Sequence, residues 1–389
     1  VLAVIDLDEV TSFLQELIRQ RSDYPPGDCR GAINVVASKL DDEGIGYQVY
    51  TRQEHQPSLV ATLGDLNDGF QLMYHAHIDT VPAGELSRWS VDPFGGQLIN
   101  GLVYGRGAGD DKGSVAAQVM ALVTLARAGI PLKGNLRVAA VADEETGGAQ
   151  GTQWLHDIGE LDCQALVVGE QTNNQIAIAE RVGCGINLTV YGESAHGAMP
   201  WRGENAILKT AGALSWLKEH LFPGLEARKH PYLPPPTINI GQIQGGIQRN
   251  IVPESCQVSL DRRLMPGETL WEAVAEVRAC LEDYSRQVEP LRFDLTTDGE
   301  PASNINTPPD DPFVHFGRQV LMDITGDSRP LTGYVQTSDG RWFADDGIPI
   351  LIFGPSDPAV GHSANEYISA AQLVEATQFL TLLALRRLK

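Results

Sequence analysis

FQLMYHAHIDTVPAG, residues 70–84, begins as strand and ends as loop. Its opening residues suit a buried strand, and TVPAG suits an exposed connection. Between them His75, His77 and Asp79 stand at every second position. Side chains two apart on a strand share a face, so all three are expected to point the same way. Polar residues where an apolar strand gives way to a loop stand where open α/β sheets place their ligands.

The flanking sequence repeats that alternation. Helices are expected at 6–21 and 30–43, then strands YQVYT and SLVATLG before the opening stretch. A helix at 114–128 stops at Gly129 and Pro131. Strand NLRVAAVADEE, helix GTQWLHDIG and strand ALVVGE follow. Apolar strands interleaved with helices predict an α/β layer with a mixed, mostly parallel sheet flanked by helices. Near Glu180 the pattern changes. GINLTVYGES, a helix at 204–220, TINIGQIQGG, SCQVSLDRRL, a helix at 268–287 and LRFDLTT give the order β-α-β-β-α-β. That order predicts an inserted α+β open sandwich of ferredoxin-like form. The α/β character returns with a helix at 312–325, strand IPILIFGP and a helix at 369–388. The expected division is 1–180, an insertion at 181–297, and 298–389.

Composition limits the partners. The 389 residues are 42% hydrophobic and 20% charged, as in a globular protein of two domains. A net charge of −21 repels phosphate backbones and anionic lipid surfaces, so neither nucleic acid nor membrane is an expected partner. The five cysteines are odd in number and widely spaced, with no CxxC, which argues against a disulfide framework or a thiolate zinc site. The first residues are acidic and then amphipathic, without the basic start and cleavage site of a signal peptide, so the cytoplasm is the expected compartment.

Four further stretches resemble the first in placing acids or histidine after apolar strands or in glycine-rich loops. They are GRGAGDDKGS (105–114), VADEETGG (141–148), VVGEQT (167–172) and GPSDPAVGHSANEY (354–367). Two adjacent aspartates in the first disfavour phosphate binding and favour a cation. In the second, neighbouring carboxylates on a strand face opposite ways, so Glu144 and Glu145 can divide the work of base and ligand. Together the stretches offer His77, Asp110, Glu145, Glu170 and His362. Imidazole and carboxylate without thiolate suit zinc, manganese or cobalt. Five ligands exceed one catalytic zinc with an open position and suit two ions sharing a carboxylate, roughly 3.5–4 Å apart.

The motifs HIDTVP, GRGAGDDKG, DEETGG, GE and GHSANEY, in this order, resemble the metallopeptidase family of acetylornithine deacetylase, succinyl-diaminopimelate desuccinylase, aminoacylase and glutamate carboxypeptidase. The resemblance covers nearly the whole chain and is closest to the deacetylase and desuccinylase branch. It implies a catalytic domain in two parts and an inserted lid or dimerisation domain. It assigns His77 and Glu170 to one metal, Glu145 and His362 to the other, and Asp110 to the bridge, with a cis peptide to Asp111. It makes Asp79 the acid that orients the His77 imidazole and Glu144 the general base. His196, in ESAHGAMP, would reach a neighbouring subunit's site and stabilise an oxyanion, so a homodimer is expected. Asn250 and Arg263 would bind the substrate, with Ser338 in TSDGRWF (337–343) a further contact. The implied cofactors are two divalent ions, zinc foremost, with cobalt or manganese as alternatives. The implied activity is hydrolysis of the amide bond of an N-acylated amino acid. A dipeptidase or carboxypeptidase of the same family acting on short peptides is the alternative, and a non-catalytic binder of amino-acid derivatives is the rival from another class.

Two departures from the family pattern stand out: Ala76 replaces Gly or Ser, and Asp111 replaces a commoner Met, an extra acid that either alters metal preference or faces solvent. His75 has no role in the resemblance and is expected to be structural. Trp89 is expected to pack beneath its loop.

Overall fold

The structure is a computed structural model that describes residues 1–67, 69–299 and 302–389. It separates into two compact units, Val1–Ile178 with Ile305–Tyr334 and Ser338–Lys389, and Ala179–Asn304 with Val335–Thr337. The insertion expected at 181–297 therefore runs 179–304 and takes in 335–337. Its first boundary falls inside a fully buried strand, where composition offers no break.

The first unit opens with α1 (Leu7–Arg19) and α2 (Arg30–Asp42), then β1 (Tyr47–Thr51), β2 (Pro57–Gly64), β3 (Phe70–His77), β4 (Gln97–Ile99) and β5 (Leu102–Tyr104). It continues through α3 (Lys112–Ala128), β6 (Gly134–Val141), α4 (Thr152–Asp157), β7 (Ala165–Val168) and β8 (Ala177–Glu180). The second unit holds β9 (Val182–Tyr191), α5 (Ala206–His220), α6 (Phe222–Glu226), β10 (Thr237–Gly245), β11 (Ser255–Leu264), α7 (Leu270–Gln287) and β12 (Arg292–Thr297). The chain then returns with α8 (Pro312–Thr325), β13 (Thr332–Tyr334), β14 (Ile350–Ile352), β15 (Tyr367–Ser369) and α9 (Ala370–Leu388).

The main sheet has the order β1-β2-β6-β3-β7-β14-β8-β13. Its centre, β6-β3-β7-β14, is parallel, and β1, β2 and β8 pair antiparallel at the flanks. Every residue of β6 is buried, as expected where helices cover both faces of a sheet. Residues 112–125 of α3 are buried all round, which places this helix inside the unit rather than on its surface. Helix α1 instead buries one face, Val10, Phe13, Leu14, Leu17 and Ile18, and is capped by Asp6, which accepts from the Glu9 amide.

In the second unit β10-β11-β9-β12 form an antiparallel sheet. Alternate residues of β9 are buried, and Ile186, Leu188 and Val190 pack with Ala213 and Leu217 of α5 and Val277 and Leu281 of α7. A capping box, Thr269 with Glu272, starts α7. Strand β10 lies at the sheet edge and is exposed throughout except at Ile238, with Ile240 and Ile243 among its exposed residues. Among the described residues no helix is long and apolar enough to cross a membrane.

Candidate metal centre

The parallel order of β6, β3 and β7 brings three strand ends together, so stretches far apart in sequence deliver their side chains to one edge of the sheet. His77 is the last residue of β3 and is buried. Its Nδ1 lies 3.0 Å from the Asp79 carbonyl oxygen, and its Nε2 lies 3.1 Å from Asp110 Oδ1. Asp110 presents its other oxygen to His362 Nε2, also at 3.1 Å. The same His362 nitrogen is 3.1 Å from Glu145 Oε1. Donor atoms of His77, Asp110 and Glu145 all lie within 4.8 Å of one another. Glu170 follows β7, is buried, and accepts from the Tyr334 hydroxyl at 2.7 Å. The Asp110–Asp111 peptide is cis.

The electrostatics of this corner call for cations. Burial pushes the carboxyls of Glu144, Glu145 and Glu170 above the usual range, and neighbouring acids add to the effect. Burial acts the same way on Asp110, but its bonds to His362 and His77 prevail and hold it low. The two imidazoles move in the opposite sense. Burial opposes charge on His77, yet Asp110 and Asp79 raise it well above its ordinary value, while Asp110 and Glu145 raise His362 to about 10. Imidazole nitrogens and carboxylate oxygens crowded this closely match the donor set of divalent ions.

Three expectations change in detail. Glu144 and Glu145 are not on a strand, because β6 ends at Val141 and Asp143 turns the chain with φ +77°. They stand on a one-turn helix, Glu144–Thr146, where Asp143 accepts from the Gln150 amide at 2.8 Å. Asp79 orients His77 through its main-chain carbonyl, its carboxylate being 3.7 Å from Nδ1. That carboxylate instead accepts from the amides of Glu144 and Glu145, at 3.2 and 3.1 Å, and so fixes the acidic turn. Asp111 does not face solvent. It is wholly buried and accepts from the His77 amide at 3.3 Å, and burial pushes its carboxyl up to about 8.

Ser338 is wholly buried and its hydroxyl accepts from the Gly340 amide, so it serves a turn rather than an open surface. His75 is also buried, bonded through Nε2 to Thr152 Oγ1 at 2.9 Å, and burial lowers it to about 4. Trp89 packs beneath its loop with Nε1 donating to the Ala83 carbonyl. In the second unit His196 and Asn250 are exposed. The His196 Nδ1 accepts from the Ala198 amide at 3.0 Å, and the Asn250 carbonyl accepts from the Gly197 amide at 2.7 Å. Arg263 is half-buried and grips Asp261 at 3.0 and 3.1 Å, while Arg262 is buried against Glu268.

Glu366 was not singled out by sequence. Its buried carboxylate accepts from the amides of Gly109 and Asp110 at 2.8 and 3.0 Å and pairs with Arg106 at 2.5 Å. It thereby ties the loop carrying Asp110 to the loop carrying His362. Its place four residues after His362, inside GHSANEY, was the available signal. Tyr334 gave none.

The profile of the peptidase family M20/M25/M40 matches residues 73–386. The chain belongs to this family. Succinyl-diaminopimelate desuccinylase of Rhodospirillum centenum is 31% identical over 386 residues, covering 93% of each chain. That of Methylobacterium radiotolerans is 31% identical over 387 residues, covering 95% of this chain and 94% of the relative. A tripeptidase of Staphylococcus aureus superposes with a TM-score of 0.79 at 20% identity, covering 98% of this chain and 99% of that one. A dinuclear metal-binding M20 peptidase of Bacillus subtilis superposes with a TM-score of 0.72 at 15% identity, covering 98% of both. At such identities the two structures speak for the fold alone. The family suggested by the motifs is borne out, and this M20-family chain is a hydrolase of amide bonds. Metal-dependent hydrolysis of N-acylated amino acids is the activity that its family and relatives support.

Proposed function

We propose that this M20-family hydrolase removes the acyl group from an N-acylated amino acid, as an acetylornithine deacetylase or succinyl-diaminopimelate desuccinylase does, with Glu144 as its general base. The observation that carries the proposal is the crowding of His77, Asp110, Glu145 and His362 around shared donor atoms, with Glu144 adjacent on the same turn. His77 and Glu170 would hold one metal and Glu145 and His362 the other, with Asp110 between them. When bound, two divalent ions, zinc foremost with cobalt or manganese as alternatives, supply Lewis-acid polarisation and acidify water.

Glu144 takes a proton from the attacking water as oxygen adds to the acyl carbonyl carbon. It returns that proton to the nitrogen as the C–N bond breaks, giving a carboxylic acid and a free amine. Its carboxyl is raised by burial, which makes the carboxylate a stronger base. Asp79 holds the Glu144 turn through two main-chain amides. Arg263 and Asn250 bind the substrate's carboxylate, and His196 stabilises the oxyanion from a partner subunit. The exposed edge strand β10, with Ile240 and Ile243, supports a homodimer through the second unit. Five free cysteines suit a reducing compartment, the cytoplasm.

A panel of N-acetyl, N-succinyl and dipeptide substrates, each with zinc, cobalt and manganese, tests the reading. Turnover of an N-acyl amino acid is expected, and exclusive cleavage of dipeptides would move the chain to the peptidase alternative. Glu144→Gln should lower kcat by at least about a hundredfold with metal content unchanged. Full activity in that variant would remove Glu144 from the role of base.

A further inference from the structure

The turn Asp339–Phe343 packs against the turn that bears Glu144. A Cβ added to Gly148 would lie 2.5 Å from Asp339 Oδ1 and 2.8 Å from Trp342 Nε1, so the two turns meet with no room for a side chain. Asp339 is wholly buried, and its Oδ2 accepts from Thr152 Oγ1 at 2.5 Å. Thr152 in turn accepts from His75 Nε2 at 2.9 Å. This fixes the Asp339 carboxylate and leaves Oδ1 beside Arg341, 3.4 Å from Nη2. The other arm of the guanidinium, Nη1, is 3.9 Å from Glu144 Oε1. Both side chains are only 11% exposed. Among the described residues Glu144 makes no other ion pair.

We propose that Arg341, anchored by Asp339, is a positioning residue that holds the Glu144 carboxylate in place for proton transfer. This rests on the reading of Glu144 as general base. A separation of 3.9 Å is too long for a hydrogen bond, so the guanidinium acts through its charge on a carboxylate that three side-chain torsions would otherwise leave mobile. A base must stay aligned with both the water and the leaving nitrogen, and misplacement by about 1 Å can cost a hundredfold in rate. The chain His75–Thr152–Asp339–Arg341 thus runs from the buried sheet to the reacting carboxylate, and it gives the TSDGRWF stretch a purpose that Ser338 does not.

The test places Arg341→Met and Arg341→Lys in both the wild-type and Glu144→Gln enzymes, assayed on the N-acyl substrate best turned over in the panel, with metal content and thermal midpoint measured in parallel. Arg341→Met should lower kcat by about tenfold with KM changed less than about twofold and metal content unchanged. Arg341→Lys, which keeps the charge, should recover most of the rate. In the Glu144→Gln background, Arg341→Met should cause no further loss, because its effect passes through Glu144. An equal loss in that background, or a raised KM at unchanged kcat, would overturn the proposal. Loss of metal or a fall in thermal midpoint by Arg341→Met that Arg341→Lys does not restore would assign Arg341 to the fold instead. The two readings separate cleanly. An active Glu144→Gln enzyme removes the base, whereas an inactive one with Arg341→Met at full kcat removes only the positioning role.

Discussion

The resemblance implies that His77 in the first unit holds a metal and that His196 in the second stabilises an oxyanion, and their surroundings differ accordingly. His77 is buried, with main chain on one ring nitrogen and Asp110 on the other. His196 is exposed, and its Nδ1 accepts from the Ala198 amide two residues on. The same contrast separates Asp110 from Arg263. Asp110 touches both His77 and His362, while Arg263 is half-buried and pairs with Asp261 on its own strand. A metal corner has to be assembled in advance, because carboxylates gathered out of water repel one another and hold together only with fixed counter-charges. On the proposed reading His196 and Arg263 meet a partner subunit and a substrate from outside, which requires exposure, and their geometry would be completed on binding.

The largest effect that would break this contrast is loss of His77. His77→Ala should lower metal content and reduce turnover by more than about a hundredfold, since even outer-shell partners of a metal cost about ten to a hundredfold. Equal metal content in variant and wild type, measured by elemental analysis, would show that the buried corner is not the metal site. Arg263→Met should leave metal content intact and raise KM by about ten- to a hundredfold, the cost of one charged hydrogen-bonded contact. Arg263→Lys should recover only part of that, because an ammonium lacks the planar fork. Unchanged KM in steady-state assays would remove Arg263 from the substrate. Ile243→Glu places a charge on the exposed edge strand and should shift sedimentation from dimer to monomer without altering the thermal midpoint of the second unit. A dimer that survives Ile243→Glu would place the interface elsewhere.

His75 sharpens the contrast with the smallest effect on catalysis. His75→Gln should leave metal content unchanged. Its consequence is for stability, because burial lowers His75 from 6.5 to about 4. The unfolded chain therefore takes up the proton first. The stability contribution of neutral His75 is fully present above pH 6.5 and is lost as pH falls toward 4. The difference amounts to at most about 3 kcal/mol. Urea midpoints of the metal-stripped protein between pH 7 and 4.5 should fall less in His75→Gln than in wild type. Parallel curves would mean that burial does not hold His75 below its ordinary range.

Much of this is legible in the sequence alone. Alternation of apolar strands and helices gave the α/β layer, and the switch to half-exposed strands after Glu180 gave the second, antiparallel unit. Both follow from local periodicity, which a sequence carries explicitly. The boundaries were less legible, because β8 is buried along its whole length and the return of residues 335–337 to the second unit is a tertiary contact. The apolar run that leads into Glu144 and Glu145 predicts a strand there. The left-handed Asp143 that ends the run has no hydrophobic signature.

The sequence by itself determined which residue types are present to hold cations and which strands deliver them, because motif and periodicity are local properties. Only the tertiary structure decided how those residues divide the work. It turned His75 toward Thr152 and His77 toward Asp110, although the two are neighbours on one strand. It gave the Asp79 carboxylate to the amides of the acidic turn, buried Asp111 and Ser338, and made Glu366 the tie beneath Asp110. Most of these depend on partners tens or hundreds of residues away. Such pairings are fixed by sheet order and packing, which no local pattern encodes.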